Sequence, residues 1–313
     1  MAASTLGPSR APTTDPARPG RPPRRRRRAV SAAFYWMVLP AFLLFFVFHT
    51  VPVLQGVFYS FTTYAGYGEW EFVGLRNYAN ILLDDRIRAS YLFTFRFAIV
   101  ATILVNVLAL AIAMGLNARI RFRNTLRGVF FVPNVLAVLV VGYVFNYLLS
   151  NSLPAIGQAL GISSLATSIL ADPELAWLGV VLLGVWQATA FAIILYLAGL
   201  QTIPGDLYEA AAIDGASRWR QFRSITFPLI AAFFTINMVL SLKNFMMVFD
   251  HVVALTGGGP GTVTESVSLV IYQGGFQGGE FAYQTANAVA YFVVIVVVSL
   301  VQLRVLQRRE VSA

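Results

Sequence analysis

Six stretches of this chain are almost continuously apolar: roughly 32–60, 91–116, 126–149, 175–200, 228–250 and 283–305. Each meets the length of about 20 apolar residues that a helix needs to cross a hydrocarbon core. The runs are long and unbroken, unlike the short alternating segments of a barrel strand. The pattern predicts an all-α, polytopic membrane protein with six transmembrane helices. The longest segment between spans is about thirty residues, which leaves no soluble domain of any size. Composition agrees, with 58% apolar residues, 12% charged residues and a mean hydropathy of +0.69.

A net charge of +9 raises the question of nucleic acid, and its distribution answers it. Most of the excess lies in residues 1–31, where Arg10, Arg18, Arg21 and Arg24 to Arg28 face only Asp15. Such a Pro-, Ala- and Thr-rich tail reads as disordered, a topology signal with some attraction to anionic membrane lipid. No nucleic-acid partner is expected. Further arginines cluster at 119–127, at 218–223 and at Arg304, Arg308 and Arg309, while loops 150–174 and 251–282 have no Lys or Arg. The positive-inside rule therefore puts both termini in the cytoplasm, together with the loop at 204–228. The first apolar run exceeds the 7–15 residues of a signal-peptide core, so it is expected to be a retained span, bent at Pro40 and Pro52.

Much chemistry is excluded. There is no cysteine, and the only lysine, Lys243, follows no glycine-rich turn, so a GxxxxGK[ST] nucleotide site is absent. His49 and His251 are far apart and lack a metal-ligand spacing, so no metal is expected. Asp84 and Asp85 read as acidic outer surface, and the GGGPG run at 257–261 as a tight turn. Arg96 reads as a snorkelling residue near the outer end of the second span.

One polar loop stands out. Glu209 to Pro228 reads EAAAIDGASRWRQFRSITFP, far longer than a hairpin between spans requires. Asp206 is a candidate N-cap for a short helix over 207–214, and Gly215 suits the left-handed residue that ends one. A second helix from about Ser217 carries Trp219 and Phe222 among Arg218, Arg220 and Arg223. Trp and Arg favour interface anchors; an interfacial helix on lipid headgroups is the plainer alternative.

Glu209, Ala210, Ala211, Gly215, Ile225 and Pro228 match the spacing EAA, three residues, G, nine residues, I-x-L-P, with Phe227 in place of leucine. Together with FVGLRNY at 72–78, AGLQTIPGDLYEAAAIDGAS at 198–217 and FDHVVALTGGGP at 249–260, the chain resembles the carbohydrate branch of ABC-importer permease subunits. The resemblance implies a type I importer permease fold in the bacterial plasma (inner) membrane. It implies a first span with its outer loop (32–90), a core permease domain (91–308) carrying the coupling loop 204–228, and a short tail (309–313). It also implies partners: a second homologous permease, two ATPase subunits that bind ATP and Mg in place of this chain, an extracytoplasmic solute-binding protein touching loops 61–90, 150–174 and 251–282, and a carbohydrate substrate. The TGGGP run resembles the partner type usually encoded first. The ATPase-coupling residues it implies are Glu209, Ala210, Ala211, Asp214, Gly215, Trp219, Arg220, Phe222, Ile225 and Pro228.

A sugar pathway needs amides, hydroxyls and aromatic faces. The spans offer Asn134 (with Tyr143, Asn146 and Tyr147 further out), Trp186, Gln187, Phe191, Asn237 and Asn244. Alignment on the loop puts the contact positions of maltose-type permeases near Asn134, Gln187, Phe191 and Asn244. The same residue types also serve as packing glue between spans. Lys243 costs about 2.5–3.5 kcal/mol at mid-bilayer on insertion scales, so it should face protein or water. Two roles stand open for it: a donor in the pathway, or a structural ion pair. Importers of another or a phosphorylated solute, such as glycerol 3-phosphate, are the nearest alternative. A stand-alone secondary transporter would predict an inverted repeat or acidic pairs inside spans, and neither is visible.

Overall fold

The computed structural model describes residues 32–118 and 121–307. The arginine tail, Arg119, Arg308, Arg309 and the tail 309–313 lie outside the described residues. Two units are distinguished, up to Val51 and from Pro52 onward. The first unit holds α1 (Ala32–Phe45), which contains Pro40, and a π-helical turn, Phe46–Thr50. By length and composition Trp36–Tyr59 could span a membrane.

The second unit begins in α2 (Val51–Tyr59), followed by α3 (Arg76–Leu83), α4 (Asp85–Asn117), α5 (Arg123–Val135), α6 (Val138–Tyr147) and α7 (Leu153–Ala159). Then come α8 (Ala176–Leu200), α9 (Asp206–Ile213), α10 (Arg218–Gln221), α11 (Phe227–Leu229) and α12 (Ala231–Met246). The short α13 (Asp250–Leu255) and α14 (Val267–Tyr272) precede α15 (Phe281–Gln307). No strand forms among the described residues beyond one isolated bridge, Thr62 to Phe72. Among the described residues, five helical stretches are long and apolar enough to cross a membrane, and a sixth is the bent pair Arg218–Leu229 and Ala231–Met246.

The core is built on α4. Phe93, Phe97, Ala101, Val105, Ala109 and Ala113 recur every fourth residue and are all buried against α8 and α12. The alanines and Gly184 let backbones approach closely, as small residues do between membrane helices. A Cβ on Gly184 would lie 3.3 Å from both Phe97 and Phe245, and one on Gly199 would lie 2.6 Å from the Phe233 ring. Buried polar groups pair between helices: Tyr196 donates to Asn106 Oδ1 at 2.6 Å, and Asn237 Nδ2 to the Ala192 carbonyl at 3.3 Å.

Proline explains three local departures from α geometry. The residue before Pro52, Pro154 and Pro228 donates its N–H five residues back in each case: Val51 to Phe46, Leu153 to Leu148, Phe227 to Phe222. A proline ring clashes with the carbonyl four residues earlier, and widening the preceding turn to π geometry relieves the clash.

Two spans differ from the sequence expectation. The stretch 126–149 is not one helix. It breaks at Leu136 and Ala137, which are extended (ψ 137° and 127°), and the candidate span is Val138–Ala159. The fifth span bends by 70° at Ile230 and ends at Met246, so Lys243 and Asp250 do not share a helix. Residues 251–282, expected as a loop, contain α13 and α14, whose Val252, Leu255, Val267 and Leu269 belong to the core.

The outer elements are tied by polar contacts. Arg86 forms a two-pronged pair with Glu265 (Nε to Oε2 2.8 Å, Nη2 to Oε1 2.7 Å) and also donates to Gln273. Asp84 is not merely acidic surface: it caps α4 by accepting from the Arg86 and Ile87 amides, and accepts from the Tyr283 hydroxyl. The Arg96 guanidinium lies 3.8 Å above the Trp177 ring. The glycine run is a turn, with positive φ at Gly257, Gly258 and Gly261, held by Thr264 Oγ1 donating to the Gly259 carbonyl.

Candidate transport site

Two places concentrate the sequence-predicted residues. The first is the polar loop. α9 closes in a Schellman arrangement: Gly215 has φ +72°, its N–H donates to the Ala212 carbonyl, and the Ala216 N–H donates to Ala211. Gly215 is thus the left-handed C′ residue and Asp214 the C-cap. Asp206 occupies the first turn and makes no cap hydrogen bond; Gly205 holds the N-cap position. Ser217 caps α10 by accepting from the Arg220 amide.

The result is a turn between α9 and α10 that leaves the loop's own groups open. Glu209, Ala210, Asp214, Gly215, Trp219 and Arg220 are exposed, Ala211, Phe222, Ile225 and Pro228 half-buried. Ile213 is 88% exposed and Trp219 68%, two large apolar side chains in open positions on one polar loop. The loop is nevertheless rigidly attached. Tyr208 and Thr226 hydroxyls meet at 2.9 Å, Gln221 Nε2 donates to the Ala216 carbonyl, and a run of rings from Trp219 through Phe222 and Phe227 reaches Phe234 in α12. These contacts join α9 and α10 to the bent helix.

The second place is a cavity of about 450 Å³ at the break between α5 and α6. Asn134 comes from α5, Gln187 and Phe191 from α8, and Asn237, Ser241, Asn244 and Phe245 from α12. Five of the seven residues anticipated for the pathway meet on this wall. Trp186 and Lys243 do not; Trp186 packs on Phe145, and Lys243 is exposed with no carboxylate in ion-pair range among the described residues. Among its described residues the wall carries no Lys, Arg, Asp or Glu. Non-helical backbone at membrane depth is tolerated where it lines a cavity, which is the situation of Leu136.

His251, which sequence reasoning considered only as a metal ligand, also lines the cavity and lies 3.1 Å from Gln187 Oε1. α13 carries this histidine. α13 is itself fixed to α6: Asn146 Nδ2 donates to the Leu255 carbonyl at 2.6 Å, and a Cβ on Gly142 would lie only 2.4 Å from that of Ala254. No group of three or more potential metal ligands occurs among the described residues.

Residues 106–311 match the family described as binding-protein-dependent transport system inner membrane component. A probable starch degradation products transport system permease protein, AmyD of Thermoanaerobacterium thermosulfurigenes, is 35% identical over 89% of this chain and 96% of its own length. The multiple sugar-binding transport system permease protein MsmF of Streptococcus mutans is 36% identical over 88% of this chain and 97% of its own. Among solved structures, a chain of a bacterial ABC transporter involved in import of the acidic polysaccharide alginate superposes with a TM-score of 0.77. It is 23% identical and covers 88% of this chain and 95% of that one, a likeness of fold. The chain belongs to the family of binding-protein-dependent transport system inner-membrane components: it is a multi-pass, non-catalytic permease subunit of an ABC importer.

Proposed function

We propose that this permease forms half of a pathway for neutral saccharides, paired with a second, homologous permease. The observation that carries the reading is the cavity wall. Its amides (Asn134, Asn237, Asn244), one hydroxyl (Ser241) and aromatic faces (Phe191, Phe245) suit a ligand that is polyhydroxylated on its edges and apolar on its ring faces. Sugar-transport names among its relatives point the same way.

The loop 204–228 lies on the cytoplasmic side and seats in ATPase subunits, two per transporter, which bind ATP and Mg. Glu209, Ala210, Ala211, Asp214, Gly215, Trp219, Arg220, Phe222, Ile225 and Pro228 make up the joint, with exposed Trp219 and Ile213 suited as anchors. A solute-binding protein delivers substrate to loops 61–90, 150–174 and 251–282 on the opposite side. Lys243, exposed and without an ion partner among the described residues, faces the second permease, where a carboxylate or the water-filled path meets it.

The test is uptake into proteoliposomes containing both permeases, the ATPase and the binding protein. Radiolabelled maltose, trehalose and raffinose are offered, with ATP inside or omitted. ATP-dependent uptake of at least one saccharide, uncompeted by glycerol 3-phosphate, is expected. Competition by glycerol 3-phosphate alone would favour the phosphorylated-solute reading, and ATP-independent exchange would remove the importer mechanism.

A further inference from the structure

Gln187 lines the cavity, yet its hydrogen-bonding capacity is spent on the protein. Its Nε2 donates to the carbonyls of Leu136 (3.0 Å) and Pro133 (3.4 Å), the groups left without helical partners where α5 breaks. Its Oε1 faces His251 Nε2 at 3.1 Å. The amide orientation is dictated by the two carbonyls, since the reverse would set oxygen against oxygen. Oε1 must then accept, so Nε2 of His251 carries the proton and donates. One carboxamide thus joins three elements: the break between α5 and α6, α8, and α13.

We propose that His251 is a positioning residue for the saccharide pathway, holding Gln187 across the helix break so that Asn134 keeps its place on the cavity wall. Gln187 acts through the backbone it caps, not as a ligand to the sugar. The assignment rests on the pathway reading for its transport consequences, but not for its structural ones. Without the His251 donor, Gln187 Oε1 is left buried and the carboxamide is free to turn. The cap on the two carbonyls then loosens, and Asn134, immediately after Pro133, moves with it. Losing one buried hydrogen bond corresponds to a change of about fivefold to tenfold in the equilibrium it controls.

The experiment compares His251→Leu, which fills space without donating, with His251→Gln, whose Nε2 can replace the imidazole donor, in the full reconstituted complex. Hydrogen–deuterium exchange is read over 134–141 without substrate, and KM and kcat are read with the saccharide that the wild type takes up. Expected for His251→Leu are exchange over that segment faster by about fivefold to tenfold and a rise in KM that exceeds any fall in kcat. His251→Gln should return both close to wild type. Unchanged exchange in His251→Leu, or a failure of His251→Gln as complete as that of His251→Leu, would overturn the proposal. If no saccharide is transported, the exchange result still decides the positioning role, so the two readings fail separately.

Discussion

Gly215 offers a graded perturbation of the coupling loop. Its φ of +72° is a conformation that side chains resist, and a Cβ built there meets nothing within 4 Å. The penalty for substitution is therefore conformational, not steric. An L-residue held in the left-handed region costs about 1–2 kcal/mol, with asparagine the residue that tolerates it best, and a β-branched residue lies nearer about 3 kcal/mol. At about 1.4 kcal/mol per factor of ten, Gly215→Ala should lower the equilibrium constant for the intact Schellman turn about fivefold to thirtyfold, and Gly215→Val by about a hundredfold. Gly215→Asn should change it least. The turn is exposed and lies outside the core, so membrane insertion and melting temperature should stay near wild type in all three. The assay is ATPase activity stimulated by substrate-loaded binding protein in proteoliposomes, alongside co-purification of the ATPase. Activity falling in the order Gly, Asn, Ala, Val at constant membrane content is expected. Equal activity across the series, or Asn as damaging as Val, would refute the claim that the turn's left-handed geometry sets the joint.

Other consequences follow from the same structure. Glu209→Lys removes a favourable charge from the first turn of α9, worth only about 0.3–1 kcal/mol to the helix; loss of coupled ATPase activity well beyond that would assign the carboxylate to the partner, and retained full activity would take it out of the joint. Arg86→Met leaves Glu265, 7% exposed, without its partner, whereas Glu265→Gln leaves Arg86, 46% exposed, able to be hydrated; thermal unfolding in detergent should show the first to be the more damaging, by about 1–3 kcal/mol against about 1 kcal/mol or less. Gly199→Val should cost about 1–3 kcal/mol through overpacking on Phe233, with Phe233→Ala relieving part of the loss in the double variant. Asn134→Leu and Asn244→Leu should each raise the KM for saccharide about tenfold through an unpaired substrate hydroxyl, while Trp186→Phe, off the cavity wall, should change it little.

What could be read from the chain itself was what its local chemistry determines. Apolar length located four of the six spans, and the Gly215 turn was legible because a left-handed closure needs glycine. Residue type picked out Asn134, Gln187, Phe191, Asn237 and Asn244, and resemblance all of these but Asn237; the five share one cavity wall. The break at Leu136 and Ala137 was not legible. Both sides of it are equally apolar, and the groups that stabilise it, Gln187 and His251, lie about 50 and 115 residues away in sequence. α13 and α14 escaped for a similar reason: six residues each show too little periodicity, and burial against α6 and α4 is what makes them helices. Arg96 needed Trp177 beside it, and His251 needed Gln187, before either had a role beyond its residue type. A titratable residue just after a spanning helix, preceded by a polar face of Asn237, Ser241 and Asn244, is the signal in the sequence that points to His251.

Because the chain contains no cysteine, a single Asn244→Cys in the reconstituted complex reports directly on the cavity. The central claim, that a water-filled saccharide pathway passes between α5, α8 and α12, predicts that a charged, membrane-impermeant methanethiosulfonate labels this thiol in a manner that depends on ATP. It predicts too that labelling slows when the transported saccharide and its binding protein are present. Labelling only by membrane-soluble maleimide, unaffected by ATP or saccharide, would contradict it.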